Sequence, residues 1–278
     1  MNSRARNEAI PIYLALASIL LFFALPLFWL LSLSIRTPAE ILIAEVRIVP
    51  HSPTLQNFVE VLGNQQFLGY LWNGVKLSVV GAACACVAAA PASYAFSRFK
   101  FPGKTPLLFA VLGFQMISPL VIMLPLYRYM QALGLTESHL GAALVYAAVA
   151  APIATWTLKG SFDTIPEELE EAAMIDGCTR AQAFLRITLP IGLPGLASTF
   201  ILTTMLGWSQ FIVPFVLLSQ PDMLPISVGI FNFLGAYTGS ATQLVAAASV
   251  LSLLPAVVIF LFFQKFVVGA LTEGALKE

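Results

Sequence analysis

The polar residues that could do chemistry concentrate in one loop, where their spacing predicts two short helices joined by a glycine. Thr164 followed by Glu167 has the spacing of a capping box, and Thr179 followed by Gln182 has it again. Gly177 is suited to end the first helix, because glycine adopts the left-handed conformation without a Cβ penalty. Such an elbow either docks another protein or only closes the end of a helix bundle, and local chemistry supports both interpretations.

The first predicted helix of this elbow has one face of small and apolar side chains. At helical spacing that face carries Leu169, Ala172, Ala173 and Asp176. The residues predicted to point elsewhere are Glu167, Glu170, Glu171 and Met174. A face of small side chains permits close approach of another protein, so the elbow is a candidate interaction site.

No other group of residues predicts catalysis, metal binding or proton transfer. The long apolar windows carry no ionisable residue in their middles, whereas a proton-coupled carrier usually needs an intramembrane carboxylate or histidine. His51 and His139 lie without clustered ligands, and the sequence has no glycine-rich phosphate loop. Cys84 and Cys86 diverge on a helix and are not expected to pair. We therefore expect no bound cofactor or metal and no enzymatic activity.

The composition indicates an integral membrane protein. Of the 278 residues 59% are hydrophobic and 10% are charged, whereas soluble domains have about 45–50% and about 25%. Lys and Arg number 14 and are balanced by 14 Asp and Glu, so there is no basic excess for nucleic acid. A soluble enzyme, a disordered chain and a nucleic-acid binder are excluded. Continuous apolar runs of helical length predict an all-α polytopic fold.

Charge-free windows predict six transmembrane helices. They cover residues 9–35, 77–97, 105–127, 140–158, about 196–218 and about 244–263, while residues 225–243 are predicted to be mostly non-spanning. The corresponding organisation is a cytoplasmic N-terminus (1–9), a first transmembrane helix (10–33), an external segment (34–73), a core transmembrane domain (74–265) with a cytoplasmic loop (160–190), and a cytoplasmic C-terminal tail (266–278). The external segment either packs on a partner or caps the bundle.

The distribution of basic residues predicts the orientation. With the N-terminus inside, ten of the 14 Lys and Arg residues fall on the cytoplasmic side. The four outside are Arg36, Arg47, Lys76 and Arg128. This positive-inside bias places both termini and the elbow in the cytoplasm.

Uncharged polar residues in or near the spans are candidates to line a pathway for a hydroxyl-rich solute. They are Ser93, Gln115, Ser118, Ser209 and Gln210. Hydrogen bonding between helices is the alternative explanation for such residues.

The elbow resembles the EAA motif of ABC importer permeases. The residues that carry the resemblance are Glu171, Ala172, Ala173, Asp176, Gly177, Phe184, Ile187, Leu189, Pro190 and Pro194. Residues 93–104 resemble the loop after the second span of sugar-importer permeases. Residues 268–277 resemble the tail of the maltose-permease G subunit and its relatives. The resemblance covers nearly the whole chain, and the sequence departs from the pattern at Cys178, where the family often has alanine.

This resemblance implies a type I ABC importer transmembrane fold and a permease subunit that translocates a carbohydrate or similar polyol-like solute by alternating access. The implied partners are a second homologous permease, two ATPase subunits that hold ATP and Mg, an extracytoplasmic solute-binding protein and membrane lipid, without nucleic acid. The implied location is a bacterial or archaeal cytoplasmic (inner) membrane.

By the same resemblance, residues 167–189 form a coupling helix seated in a cleft of one ATPase. The residues expected at that contact are Glu167, Glu171, Ala172, Ala173, Asp176, Gly177 and Phe184. A channel or an ion-coupled secondary transporter is the alternative function, and a membrane-embedded enzyme is a third.

Overall fold

The structure, a computed structural model, describes residues 3–43, 48–236 and 241–275, and within these ranges its regular elements are helices without strands. In chain order the helices are α1 (Ser3–Ser34), α2 (Pro38–Leu42), α3 (Gln56–Gly63), α4 (Gln65–Arg98), α5 (Lys104–Gly113), α6 (Pro119–Ala132), α7 (His139–Asp163), α8 (Glu168–Ile175), α9 (Arg180–Ala183), α10 (Leu189–Ile191), α11 (Leu193–Trp208), α12 (Ile212–Leu217), α13 (Ile226–Ala236) and α14 (Thr242–Ala275). Residues Phe184–Thr188 form a π-helical segment between α9 and α10. The all-α prediction is confirmed.

Among the described residues, four helices are long and apolar enough to cross a membrane alone. They contain the segments Pro11–Ser34, Gln65–Arg98, His139–Asp163 and Thr242–Leu261. In two further places, two apolar helical segments meet at a sharp bend. The bend between Lys104–Met116 and Leu120–Ala132 is 95°. The bend between Arg180–Ile191 and Leu193–Trp208 is 73°. The count reaches the predicted six if each bent pair is one span.

Two predicted spans are not continuous helices, and prolines explain both breaks. The window 105–127 is interrupted before Pro119, where Ser118 is extended with φ −59° and ψ 129°, as the residue before a proline prefers. The window 196–218 is interrupted between α11 and α12. Pro214 has no N–H to donate to the carbonyl of Gln210, and that carbonyl instead accepts hydroxyl protons from Tyr146 and Ser227.

Two predicted boundaries also differ from the structure. Helix α4 begins at Gln65, so helix extends into the segment 34–73 that the sequence analysis assigned to the exterior. Helix α14 continues through Ala275, so helix extends into the segment 266–278 that was predicted as the cytoplasmic tail. The prediction for residues 276–278 lies outside the described residues.

The chain forms two units, and the first comprises Met1–Phe67 and Ile230–Leu254. In it, the amide of Asn57 donates to the carbonyls of Ser34 and Arg36, both at 2.8 Å. One carboxylate oxygen of Glu40 accepts the backbone N–H groups of His51 and Ser52. The segment that follows α1 is therefore folded through specific polar contacts.

The second unit comprises Leu68–Gly229 and Pro255–Glu278, and in it α11 lies very close to α4 and α7. A Cβ on Gly195 would collide with Ser161 of α7, and one on Gly207 would lie 3.1 Å from Cα of Ser78 in α4. At the end of this unit that carries the elbow, a buried apolar cluster joins α4 to α7. It consists of Ala89, Ala90, Tyr94, Ala154, Leu158, Phe162 and Ile165.

Hydroxyl groups inside the long helices mostly donate to their own helix. Each of the following donates to a carbonyl three or four residues earlier: Ser78, Ser93, Thr155, Thr157, Thr203, Thr204, Ser249 and Ser252. These donors are satisfied without a second helix.

Candidate functional site

The elbow, residues 167–189, turns at Gly177 as its sequence predicts. Gly177 has φ +92°, in the left-handed region. Its N–H donates to the carbonyl of Met174, and the N–H of Cys178 donates to that of Ala173, which is the hydrogen-bond pattern of a Schellman C-cap. The predicted second capping box is also confirmed, since Thr179 and Gln182 exchange both side chain-to-backbone bonds.

The first predicted capping box is wrong. Thr164 ends α7 in a helical conformation (φ −81°, ψ −14°), and its hydroxyl donates to the carbonyl of Ser161. An N-cap residue needs an extended backbone instead. Helix α8 starts after Pro166, with Glu167 at its N-cap and no side-chain cap bond.

The predicted small-residue face of α8 is divided between the interior and the surface. Ala173 is buried, whereas Leu169, Ala172 and Asp176 are exposed. The second buried residue of α8 is Glu170, which the sequence analysis placed off that face. Helix α8 is therefore fixed to the rest of the chain by the Glu170 carboxylate together with Ala173, while the rest of its apolar side is exposed.

Glu170 is 5% exposed and accepts three side-chain hydrogen bonds. Arg98 Nε lies 2.6 Å from Glu170 Oε1, and the Thr188 hydroxyl lies 2.7 Å from the same oxygen. The Tyr94 hydroxyl lies 2.7 Å from Glu170 Oε2. One carboxylate thus joins α8 to the last two turns of α4 and to the π-helical segment. We call these four residues the Glu170 cluster.

The Glu170 cluster keeps its carboxyl ionised. Burial opposes the charged form, but hydrogen bonds from Tyr94, Arg98 and Thr188 and the charge of Arg98 outweigh it, so the pKa of Glu170 is lowered. The side chains of Arg98 and Glu170 are 5% and 6% exposed. This is a buried ion pair with additional donors, an arrangement in which loss of one partner is costly.

Arg98 also binds the linker that precedes α8. Its Nη2 donates to the carbonyl of Ile165 at 2.9 Å, and its Nη1 donates to the hydroxyl of Ser97. Ser97 in turn donates to Asp163 at the end of α7. The guanidinium therefore holds the end of α4, the end of α7 and the start of the elbow together.

Phe184 turns toward the bundle and not toward the exposed side of the elbow. It is half-buried, with its ring centroid 4.6 Å from that of Tyr94 and 6.2 Å from that of Phe162. It packs on the apolar cluster between α4 and α7. Among the residues expected to contact an ATPase, Phe184 and Ala173 thus contact the permease core.

The other expected contact residues lie on the surface. They are Glu167, Glu171, Ala172, Asp176 and Gly177. Two open grooves, of about 680 and 540 Å³, flank α8, and both are lined by Arg98, Glu167 and Glu171. The elbow thus presents an exposed acidic side above a buried, hydrogen-bonded base.

The candidate pathway residues are placed at separate positions. Ser93 is fully buried, and its hydroxyl, which donates to the carbonyl of Ala89, also lies 3.0 Å from the carbonyl of Thr155, so it links α4 to α7. Gln115 and Ser118 are exposed beside the break between α5 and α6, and Gln115 donates to the carbonyl of Val149.

Ser209 and Gln210 follow α11 in the break before α12. Ser209 is exposed, and Gln210 is half-buried. Both breaks leave polar groups within otherwise apolar spans.

Sequence reasoning missed the Glu170 cluster because nothing local pairs its members. Glu170 is one of four glutamates among residues 167–171, and only packing distinguishes it from Glu171. One signal was available: Tyr94 and Arg98 are four residues apart, so they share a face at the end of a span. An arginine there with a tyrosine one turn earlier indicates a buried acceptor, but does not identify it.

The fold and the elbow together define a class of protein: a multi-span helical membrane subunit that presents a short helix pair to a partner. Residues 81–272 match the family described as the inner membrane component of binding-protein-dependent transport systems. This chain belongs to that family.

Its relatives are similar over nearly their whole length. The sulfoquinovosyl glycerol transport system permease protein SmoH of Agrobacterium fabrum is 31% identical over 268 residues, which cover 96% of this chain and 94% of that protein. The trehalose transport system permease protein SugB of Mycobacterium tuberculosis is 32% identical over 254 residues, which cover 91% of this chain and 92% of that protein.

The fold is that of a solved importer. The crystal structure of a bacterial ABC transporter that imports the acidic polysaccharide alginate matches with a TM-score of 0.78 and 22% identity, over 95% of this chain and 98% of that one. The chain therefore has the type I ABC importer transmembrane fold.

The chain is a multi-pass inner-membrane permease subunit of an ABC importer, and it is not an enzyme. In such importers a separate ATPase subunit hydrolyses ATP with Mg, and a solute-binding protein is a further component. Within the part of the chain that the structure describes, no group of three or more His, Cys, Asp or Glu is placed to hold a metal.

Proposed function

We propose that this permease translocates a carbohydrate or a similar polyol-like solute by alternating access. The relatives named for sulfoquinovosyl glycerol and trehalose transport support this solute class. The proposed assembly contains a second homologous permease, two ATPase subunits and an extracytoplasmic binding protein. Both termini lie in the cytoplasm, as the excess of basic residues on that side indicates.

The elbow is proposed as the coupling helix that sits in a cleft of one ATPase. The observation that carries this assignment is the two-sided character of α8: Glu171 and Asp176 are exposed, while Glu170 is buried and hydrogen-bonded to α4 and the π-helical segment. A rigid element with one free polar side and one anchored side can move a packed bundle of helices as a body.

We propose that the solute pathway includes the two breaks in the spans. Non-helical backbone at membrane depth is tolerated where it is buried or lines a water-filled cavity. Gln115 and Ser118 at one break and Ser209 and Gln210 at the other are the candidates to contact the solute. Ser93, whose hydroxyl already links α4 to α7, is proposed as a structural residue.

The test of this function is reconstitution of the complete importer in liposomes. The ligand of its binding protein is first identified by mass spectrometry after purification without added solute. Uptake of that compound is expected to require both the binding protein and ATP. Uptake driven by an ion gradient in the absence of ATP would contradict the proposal and favour a secondary transporter.

The orientation predicts the results of reporter fusions. A fusion within residues 167–186 and one after Lys265 are expected to report a cytoplasmic location, and one near Gln56 an external location. Alkaline phosphatase fusions report an external location, and green fluorescent protein fusions report a cytoplasmic one. A fusion near Tyr237, which lies outside the described residues, is also expected to be external. A cytoplasmic signal there would mean that residues 223–264 span twice.

The end of α14 is proposed to reach the ATPase dimer, as the resemblance of residues 268–277 to the maltose-permease tail suggests. Deletion of residues 270–278 is expected to reduce ATPase association or transport while membrane insertion stays normal, because the spans are left intact. Copurification of the ATPase measures the effect. Full association and transport after deletion would show that this end is dispensable.

A further inference from the structure

Glu170 is a buried carboxylate for which docking of the elbow has no use. Its neighbour Glu171 is exposed on the side proposed to meet the ATPase, whereas Glu170 points inward and is 5% exposed. A buried carboxylate is rare in a protein unless it is paired. Its presence in α8 therefore calls for a role inside the permease.

We propose that Glu170 and Arg98 are positioning residues that transmit movement of the elbow to α4, so that docking at the surface shifts a membrane span. The inference rests on the coupling role proposed above and assigns the route that this coupling takes through the chain. Tyr94 and Thr188 complete the joint as donors to the same carboxylate.

The Glu170 carboxylate joins several segments of the chain. Glu170 belongs to α8, Tyr94 and Arg98 to α4, and Thr188 to the π-helical segment. Arg98 adds the carbonyl of Ile165, in the linker between α7 and α8. Apolar contacts allow sliding, whereas charge-assisted hydrogen bonds of 2.6–2.7 Å fix direction as well as distance. The elbow and the end of α4 are thereby held as one body.

The covalent route from the elbow to the next span is bent. The π-helical segment lies at the end of the elbow, and after Ile191 the chain bends by 73° before it enters α11. Pro190 and Pro194 on either side of Gly192 remove two backbone donors, so fewer helical hydrogen bonds cross the bend, although Gly192 keeps its bonds to Thr188 and Leu196. Movement of the elbow is carried less directly to α11 than through the Glu170 cluster to α4.

Stability alone does not account for the ion pair between Arg98 and Glu170. A buried ion pair is often no more stabilising than a well-packed apolar pair of similar volume. The apolar cluster beside it, with Phe184 packed on Tyr94, already provides packing at this end. The ion pair adds a fixed geometry between α4 and α8.

The test uses the whole importer with Glu170→Gln in this subunit. Glutamine has the same size as glutamate, but it has one accepting oxygen in place of two. Its NH₂ group would face the side chains that donate to Glu170, and it cannot accept their hydrogen bonds. The matched control is Glu168→Gln, the same change at an exposed position of the same helix. ATP hydrolysis is measured without and with the binding protein purified with its endogenous solute. Complex assembly is measured by copurification.

For Glu170→Gln we expect a complex that still assembles and hydrolyses ATP at the basal rate, although with lower thermal stability. Stimulation by the loaded binding protein is expected to fall about tenfold, within the range of about 5–150-fold that is typical of allosteric couplings. Tyr94→Phe and Thr188→Val each remove one donor and are expected to lose stimulation in the same direction to a smaller extent. Glu168→Gln is expected to behave like the wild type.

Wild-type stimulation in Glu170→Gln overturns the inference. So does failed assembly of Glu170→Gln together with normal stimulation in Tyr94→Phe and Thr188→Val, because the cluster would then act only in folding. The coupling role itself is tested separately by Gly177→Val. If that variant uncouples the importer while Glu170→Gln does not, only the route is wrong; if neither does, the elbow is not the coupling element.

Discussion

Gly177→Val is expected to leave the permease inserted and assembled with its partner permease, while ATP hydrolysis no longer responds to the loaded binding protein. Gly177 has φ +92°, where a residue with a Cβ is strained by roughly 1–2 kcal/mol. No atom lies within 4 Å of the position of that Cβ, so the substitution acts through the backbone and not through a clash. Relief of the strain tilts α9 relative to α8 and deforms the docking surface.

The chain offers a matched control for this substitution. Gly103 has φ +80°, and no atom lies within 4 Å of its hypothetical Cβ, but it precedes α5 and lies outside the elbow. Gly103→Val therefore introduces similar strain elsewhere and is expected to keep the response to the binding protein. Equal losses in both variants would indicate general destabilisation and would contradict the specific role of the elbow.

Glu171→Lys tests the proposed docking surface of the elbow by reversing the charge of one exposed residue. Because Glu171 is exposed, a lysine there leaves the Glu170 cluster intact and places the opposite charge where the ATPase is proposed to dock. Weaker copurification of the ATPase is expected. If Glu171→Lys and Gly177→Val both transport at the wild-type rate, the elbow only closes the bundle.

Arg98→Ala is expected to give the largest loss of stability, about 3–5 kcal/mol, because it leaves the Glu170 carboxylate buried without its cation. The loss is measured as a shorter half-life of the purified complex at a fixed elevated temperature, since membrane complexes unfold irreversibly. Lys159→Ala is the control: it removes the more exposed pair with Asp163, a type of pair worth about 0–1 kcal/mol.

The penalty in Arg98→Ala is expected to depend on pH. In the wild type the pKa of Glu170 is lowered, so its contribution is present above the unfolded carboxyl pKa of about 4.3 and is lost as pH falls through the folded pKa. Without the cation, burial favours the protonated form. The difference in half-life between variant and wild type should therefore shrink from neutral pH toward about pH 5. A difference that does not change with pH would show that the charge of Glu170 does not matter.

The sequence predicted the features that depend on neighbouring residues. Gly177 and the Thr179–Gln182 capping box are local, since backbone conformation and short-range hydrogen bonds decide them. The apolar windows predicted the helices because a spanning segment must satisfy its own backbone. The failures at 105–127 and 196–218 were also local, because Pro119 and Pro214 were visible as helix breakers.

The interior of the site was beyond sequence reasoning because it depends on packing between distant segments. Glu170 lies 72 residues from Arg98 and 18 from Thr188. The helical periodicity of α8 favours its apolar side as the inner one, but the guanidinium at the end of α4 gives Glu170 a partner there. Tertiary structure thus moved the buried side of this eight-residue helix, so that Glu170 and Ala173 are inside while Leu169 and Ala172 are exposed.

The internally bonded hydroxyls of the long helices bear on how this protein is made. A membrane helix leaves the translocon for lipid before all of its later neighbours have been synthesised. If the acceptor of a serine or threonine hydroxyl lay only on such a later helix, the hydroxyl would be an unsatisfied donor in hydrocarbon. In α4, α7, α11 and α14 these donors already have a carbonyl of their own helix. These hydroxyls therefore add no penalty when such a helix enters the bilayer before its neighbours, and the order in which helices are synthesised need not match the order in which they pack.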